Sequence, residues 1–502
     1  MRPFTALSAL CGLLLSASSF VGADSTTSRV ALPRDFKPPQ VFKNANLVRT
    51  SNLEKGYLRE TVNVVVENVD KLPQSDYYLT FPSDLYENVG ALEVRDKTSP
   101  ENGRFDVEAT EFIPGSDYQY FVIHLPKPLP PSSQTTLGIS YSVLNSLRPR
   151  PAAISQADRQ YLAHSFSAYA PSAYTTVTQK TKLKLPSTNV PDYTTTDLTS
   201  SVDPQRQGTV YTYGPYDTAN VAPGTVYPVS VRYEFTKPII TASLLERDLE
   251  VSHWGGNLAT EERYWLRNNG SKLTDNFSRV EWTITSYQQL PSASLRELKY
   301  PLKPGTSDPY FTDDIGNVST SNFRPGKPNR EGSLEIRPRY PIFGSWNYSF
   351  RIGWNNDLSA FLRRAVTGAD SYVLKVPFID GPKVPEGIQY EKAVVRVVLP
   401  EGARNVRYET LEKSSSNGLP SASQIQSEIS THKTFMDTLG RTTLTLTVED
   451  LTDEARDSQL LITYDYSLWD SLRKPVTITA GLFTVFVAAL AIGNIDVSIK
   501  KR

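Results

Sequence analysis

Cysteine is all but missing from this sequence. Of 502 residues only Cys11 is one, and it falls in an N-terminal segment with the marks of a signal peptide. The mature chain is therefore expected to hold none, which excludes disulfide staples, zinc–thiolate sites, iron–sulfur clusters and a cysteine nucleophile. A chain of this length can bury ample apolar area in two or more cores without such staples. Histidine is scarce as well. His124, His164, His253 and His432 lack metal-ligand spacing, and each reads as a packed or surface side chain. There is no Gly-x-Ser-x-Gly elbow, phosphate loop, dinucleotide fingerprint or Asp-x-Asp pair. Carboxylates do adjoin at Glu261-Glu262 and Asp313-Asp314, but a glycosidase needs two that face each other across a sugar, and adjacency does not supply that. No catalytic residue, cofactor or metal ligand is expected. Charge of one sign is lacking too. The chain is neutral; without Arg2 and the tail from Asp496 to Arg502, which carry three net positive charges, the remainder sits near −3. That excludes a nucleic-acid partner, which would call for a basic face.

Long apolar runs are confined to the two ends. Arg2, the stretch Ala6 to Leu15 and the small residues Val21-Gly22-Ala23 form the charged, apolar and cleavage regions of a signal peptide over 1–23, so the mature chain is expected to begin at Asp24. Val476 to Ile492 carries no charge, and with its flanks gives a transmembrane helix over 475–495, about the length a bilayer demands. The signal peptide places the large middle region in the lumen and a short tail, 496–502, in the cytosol. The basic residues of that tail agree, although Arg473 and Lys474 on the other side weaken the charge argument.

The middle reads as strand after strand. Thr443 to Val448 alternates leucine or valine with threonine, the period of a half-buried strand. Thr61 to Val66, Tyr120 to Leu125, Gly138 to Val143, Val229 to Phe235 and Leu460 to Tyr466 are likewise rich in β-branched and aromatic residues. Helical periodicity is confined to short stretches such as Asp357 to Val366. A weak internal repeat matches Tyr118–Leu125 and Gly138–Val143 with Thr442–Val448 and Leu461–Tyr466. The expected architecture is mainly β: two tandem β-sandwich-like luminal domains, 24–238 and 239–472, followed by a single transmembrane helix.

Four Asn-x-Ser sequons stand at Asn269, Asn276, Asn317 and Asn347, clustered as if on one glycosylated surface, with Asn317 in the most turn-like and polar setting. In the apolar helix Thr477, Gly481, Ala489 and Gly493 recur at spacings of four around Val485, a small-residue stripe of the kind that lets helices pack closely in lipid. Trp254, Trp265, Trp282, Trp346 and Trp354 could stack on sugars, although buried core tryptophans are commoner. On composition alone the body suits a scaffold subunit, an adhesion or receptor-type ectodomain, or a luminal glycan-binding chaperone.

Longer strings narrow this. Val251-Ser252-His253-Trp254-Gly255-Gly256-Asn257 with Glu261-Glu262, Tyr310 to Thr320, and Leu334 to Gly344 with Trp346 each resemble the ribophorin I family. Phe277-Ser278-Arg279 and Leu399 to Ala403 fall in the expected order. The resemblance covers essentially the whole luminal region and is densest from 250 to 405. It implies a non-catalytic accessory subunit of the oligosaccharyltransferase complex, a single-pass protein of the endoplasmic reticulum membrane. That complex moves a preassembled oligosaccharide from dolichol pyrophosphate to Asn in Asn-x-Ser/Thr, and in the family the active site lies on a different, multispanning subunit. The implied partners are the other subunits, the protein translocation channel, the nascent polypeptide and the bilayer. Animal members carry a long cytosolic domain; only Asp496 to Arg502 follow the helix here, as in fungal-type relatives, so ribosome contacts are not carried over.

Overall fold

The computed structural model describes residues 29–99, 103–199, 202–365, 370–411, 419–420, 424–434, 437 and 439–494. The expected signal peptide, the start at Asp24 and the tail 496–502 lie outside them. The body is mainly β, and a helix from Leu468 to Gly493 closes the described chain. Each strand named from the sequence is a strand here, because alternating β-branched and aromatic side chains let one face of a sheet bury while the other stays wet.

The strands fall into two sets with the same wiring. The first main sheet runs Gln205–Gln207, Val210–Asp217, Thr176–Lys184, Phe42–Asn52, Leu58–Asn68, Gln134–Val143, Val89–Asp96. The second runs Gln426–His432, Arg441–Thr452, Ile388–Glu401, Ile240–Ser252, Asn257–Asn268, Asn347–Asp357, Ser307–Asp313, then Gly316–Asn317. In both, among the described residues, the only parallel pair is the third strand on the fourth. Two smaller sheets repeat as well: Pro228–Glu234 beside Tyr161–Ser167 answers Gln459–Asp465 beside Ser371–Pro377, and Gln74–Pro82 beside Tyr118–Leu129 answers Leu298–Leu302 beside Gly332–Ile336. Even a bulge recurs, between Asn44 and Asn46 in one opening strand and between Ala242 and Leu244 in the other. One hydrophobic core gathers residues from Phe42 to Ile239, the other from Ile240 to Tyr466.

Buried polar groups repeat too. Asn68 and Asn268 end equivalent strands, both buried. Asn68 Nδ2 donates to the carbonyls of Leu72 and Leu129 while its Oδ1 accepts from Asp70 N. Asn268 Nδ2 donates to Ala293 and Ile342, and its Oδ1 accepts from Gly270 N. Asn268 Oδ1 also accepts from Ile239 N, so each side chain ties together three or more backbone groups of separate segments. Arg49 and Arg247 lie at matching places, two residues beyond Leu47 and Leu245, and each meets a buried carboxylate on the next strand, Glu60 and Glu262.

Two expectations are corrected. Of the stretch Asp357 to Val366, whose last residue lies outside the described ones, the rest is not an α-helix: the Asp357 side chain accepts from Ser359 N at 2.8 Å and caps one 3-10 turn, Leu358–Ala360, after which Leu362–Arg364 pairs as a strand with Ser371–Pro377. The repeat is present but differently aligned. Tyr118–Leu129 corresponds to Gly332–Ile336 and Gln134–Val143 to Asn347–Asp357, whereas Arg441–Thr452 and Gln459–Asp465 answer Val210–Asp217 and Pro228–Glu234. Hairpins resemble one another in sequence; only pairing distinguishes them.

Candidate functional site

Of the adjoining carboxylates, Glu261, Glu262 and Asp313 are tied into the scaffold. Glu262 is buried and accepts from Arg247, from Tyr264 Oη at 2.5 Å and from Asp380 N at 3.0 Å, while Arg247 also reaches Asp380 at 2.7 Å. Glu261, on the opposite face of the same strand, meets Arg351 at 3.1 Å and Tyr310 Oη. Asp313 accepts from Arg339, from Tyr348 Oη at 3.1 Å and from the amides of Ile315 and Gly316, which shape the following turn. The Arg339 bond, helped by those donors against burial, holds its carboxyl below the ordinary range. Asp314 is exposed beside it. Glu261, Glu262 and Asp313, whose lone pairs are taken by cations, hydroxyls and amides, hold strands together.

The histidines are scattered. His124 sits between Asp76 and Glu108, and burial, which lowers its pKa, is outweighed by those two carboxylates. His164 is buried against Phe166, and burial takes it down to about 4. His253 bonds Tyr464 Oη at 2.7 Å, and His432 lies on the strand Gln426–His432. Among the described residues no group of three or more His, Cys, Asp or Glu side chains is arranged to hold a metal ion.

The sequons separate into two kinds. Asn276, Asn317 and Asn347 are exposed: before the helix Arg279–Tyr287, in the hairpin closed by Gly316–Asn317, and at the start of Asn347–Asp357. Asn269 is half-buried. Its Nδ2, the atom a glycan would take, donates to Asn145 Oδ1 at 3.1 Å and Thr241 Oγ1 at 3.0 Å, where the two repeats meet. It departs from the single shared surface its spacing suggested.

The surface on which the halves of the chain converge is built from hairpin tips. In the first repeat the tip after Phe42–Asn52 presents Lys55 and Tyr57 to Asp453 at 2.7 Å each, and Gly56 N to Glu386 O at 2.7 Å. The equivalent tip of the second repeat, His253 to Gly256, presents Trp254 to the C-terminal helix, with Nε1 donating to Ser471 O at 2.7 Å. That carbonyl is available because Pro475, four residues on, has no N–H to offer it. The helix starts at Leu468, earlier than expected, capped by Ser467, whose Oγ accepts from Asp470 N. Arg404 and Arg473 pair with Asp470, and Lys474 meets Asp437 at 2.5 Å. Burial works against the charge of Asp437, but Lys474 and Thr434 outweigh it and hold the carboxyl down at about 2. Gly402, at φ +96°, faces Asp470 so closely that a side chain there would collide with its carboxylate.

Beyond this junction the helix stands clear of the other described residues. Its apolar side chains are exposed, and a Cβ added at Gly481 or Gly493 would meet no atom within 4 Å. Thr477 Oγ1 is satisfied internally by Arg473 O at 2.6 Å. Steps of four residues turn a helix by roughly 40° each, so Thr477, Gly481, Ala489 and Gly493 wind round it as an oblique ridge. Of the tryptophans, Trp354 is buried, Trp346 packs with Phe343 and Tyr340, and Arg263 and Arg296 cover the rings of Trp265 and Trp282. Only Trp254 among these five is largely exposed, and its N–H is already engaged. The Trp254–Ser471 contact was missed from the sequence, although a proline inside a helix leaves a known carbonyl, at i−4, in want of a donor.

The family profile of ribophorin I matches residues 42–493. Dolichyl-diphosphooligosaccharide–protein glycosyltransferase subunit 1 of Schizosaccharomyces pombe is 31% identical over 454 residues, 90% of this chain and 95% of that protein. Subunit 1B of Arabidopsis thaliana is 30% identical over 93% of this chain and 96% of its own length. Subunit 1 of Caenorhabditis elegans is 29% identical over 91% of this chain and 73% of its own. Matched along nearly its whole described length, the chain belongs to the ribophorin I family.

Proposed function

We propose that this chain is a non-catalytic accessory subunit of the oligosaccharyltransferase of the endoplasmic reticulum membrane, supporting transfer of the dolichol-pyrophosphate-linked oligosaccharide to asparagine. The observation that carries this reading is the near end-to-end similarity to proteins named as subunit 1 of that glycosyltransferase. The tied carboxylates support placing the chemistry on another, multispanning subunit. Its partners are the other subunits, the nascent polypeptide and the translocation channel. The two repeats are two luminal domains divided near Pro238, and the helix crosses the membrane once with its C-terminal end in the cytosol. The exposed helical ridge is the surface for a partner helix, since small side chains let backbones approach in lipid.

The test is isolation of the native complex in mild detergent with this chain as the handle, followed by its depletion. Co-purification of the oligosaccharyltransferase subunits, and reduced occupancy of many secreted acceptors on depletion, are expected. Glu261→Gln, Glu262→Gln, Asp313→Asn and Asp314→Asn should leave turnover of the assembled complex unchanged. A fall of orders of magnitude with assembly intact would mark a catalytic carboxylate and overturn the assignment.

A further inference from the structure

Between the Trp254 tip and the C-terminal helix lies a cleft of about 660 Å³, within the range of small-molecule sites. Its helix wall runs from Asp470 and Ser471 through Lys474 and Pro475 to Ile478 and Thr479. Lys474 is the last charge before the uncharged run Val476 to Ile492, and Thr479 lies about 7 Å further along the axis. The cleft therefore spans the level at which a bilayer passes from headgroups to hydrocarbon. Trp254, 66% exposed, stands at its rim, where an amphipathic ring is at home in an interface.

The charges of the lining say what would fill it. Two cations, Arg441 and Lys474, face three carboxylates, Glu250, Glu401 and Asp470. Arg441 bonds Glu250, Lys474 bonds Asp437, and Asp470 is paired with Arg404 and Arg473, so the two signs come close to balance. A mouth that offers both signs and little net charge suits a headgroup that itself carries both signs. It disfavours a headgroup whose only charge is a phosphate. We infer that this cleft holds a zwitterionic phospholipid from the leaflet next to the β body. Its phosphate lies toward Arg441 and Lys474, its ammonium toward Glu250, and its chains run along Pro475 and Ile478. The inference rests on the membrane-spanning reading of the helix but not on which complex the chain serves.

The test uses the full chain in its native complex, reconstituted in nanodiscs of equal phosphatidylcholine and phosphatidylglycerol, with a photo-crosslinking residue in place of Ile478. Adducts carrying phosphatidylcholine are expected to exceed phosphatidylglycerol adducts by roughly fivefold, the effect of one partly exposed charge contact. Glu250→Lys should reverse that preference. Thr479→Trp, which fills the cleft without touching a charge, should remove the phospholipid that survives detergent washing of the wild-type complex. Adducts in equal proportion, adducts to a peptide of another subunit, or washed lipid unaffected by Thr479→Trp would each overturn the site. Release of the chain from membranes by alkaline carbonate would overturn the spanning reading and the site together.

Discussion

The two repeats share strand order, a bulge and a buried asparagine, yet their equivalent hairpin tips grip different things. The first tip holds the second repeat through Lys55 and Tyr57; the second holds the C-terminal helix through Trp254. The same corner of the fold is used each time to fasten the body to what comes next. The acceptors differ, however. Asp453 is a carboxylate, whereas Ser471 offers only a neutral carbonyl, so the joint between repeats is the stronger of the two.

The largest effects should come from the buried ion pairs. Arg247→Met strands both Glu262 and Asp380, whereas Arg49→Met strands Glu60 alone. The first should cost about 4 kcal/mol or more and the second about 3 kcal/mol, read by chemical unfolding of the full chain in detergent. Equal costs would mean that Asp380 adds nothing to the second network. Next come the paired asparagines. Asn68→Ala removes three bonds to backbone groups and Asn268→Ala four, and each should cost about 2–3 kcal/mol. A large disparity would break the equivalence of the repeats at its most detailed point.

The tips come third. Tyr57→Phe loses a bond to a carboxylate and should loosen the joint between repeats by about 2 kcal/mol, while Trp254→Phe should loosen the first helical turn by about 1 kcal/mol. Hydrogen exchange at 386–389 and at 468–475 measures each separately. Fourth is a pH dependence confined to the meeting of the repeats. Asp450 adjoins Gly90, where a Cβ would overlap the Asp450 carbonyl. Burial first, then Glu449, Glu391 and Glu87, raises its carboxyl to about 7, with Arg29 and Glu108 lining the same cleft. The folded chain keeps this proton where the unfolded chain, with a pKa near about 4, has lost it. Stability should therefore fall as pH rises from about 4 to about 7 and level off above. Asp450→Asn should flatten that slope, read as melting temperature against pH.

The smallest effects concern the sequons. Asn317→Gln is expected to raise electrophoretic mobility by the loss of one glycan, and Asn269→Gln to leave it unchanged. A shift at Asn269 would show that the bonds to Asn145 and Thr241 do not form in every molecule.

Much of this was legible because strand alternation is local. Threonine and leucine in Thr443 to Val448 report their own period whatever they pair with. Pairing is not local, so the repeat was visible while its alignment was wrong. The helix Arg279–Tyr287 was missed for a different reason. Val280, Thr283, Ile284 and Thr285 are β-formers, and its apolar residues Val280, Ile284 and Tyr287 face outward, so neither propensity nor a buried stripe announced it. The tied carboxylates were equally hidden. Their sequence neighbours give no hint that Arg247, Asp380 and Arg339 will arrive from elsewhere in the chain.

The half-buried amide of Asn269 turns the making of this protein into a race. Its Nδ2 is needed by Asn145 and Thr241, yet under the luminal placement proposed above that same atom is open to glycan transfer while the chain is being threaded across the membrane. A glycan attached before those partners close on it would stay for the life of the molecule, a wedge driven between the repeats. Asn145 and Thr241 lie ahead of Asn269 in the chain, so both emerge first and wait for it. The order of synthesis favours closure over modification, and any slowing of the first repeat's folding would be recorded as sugar in a joint that should be dry.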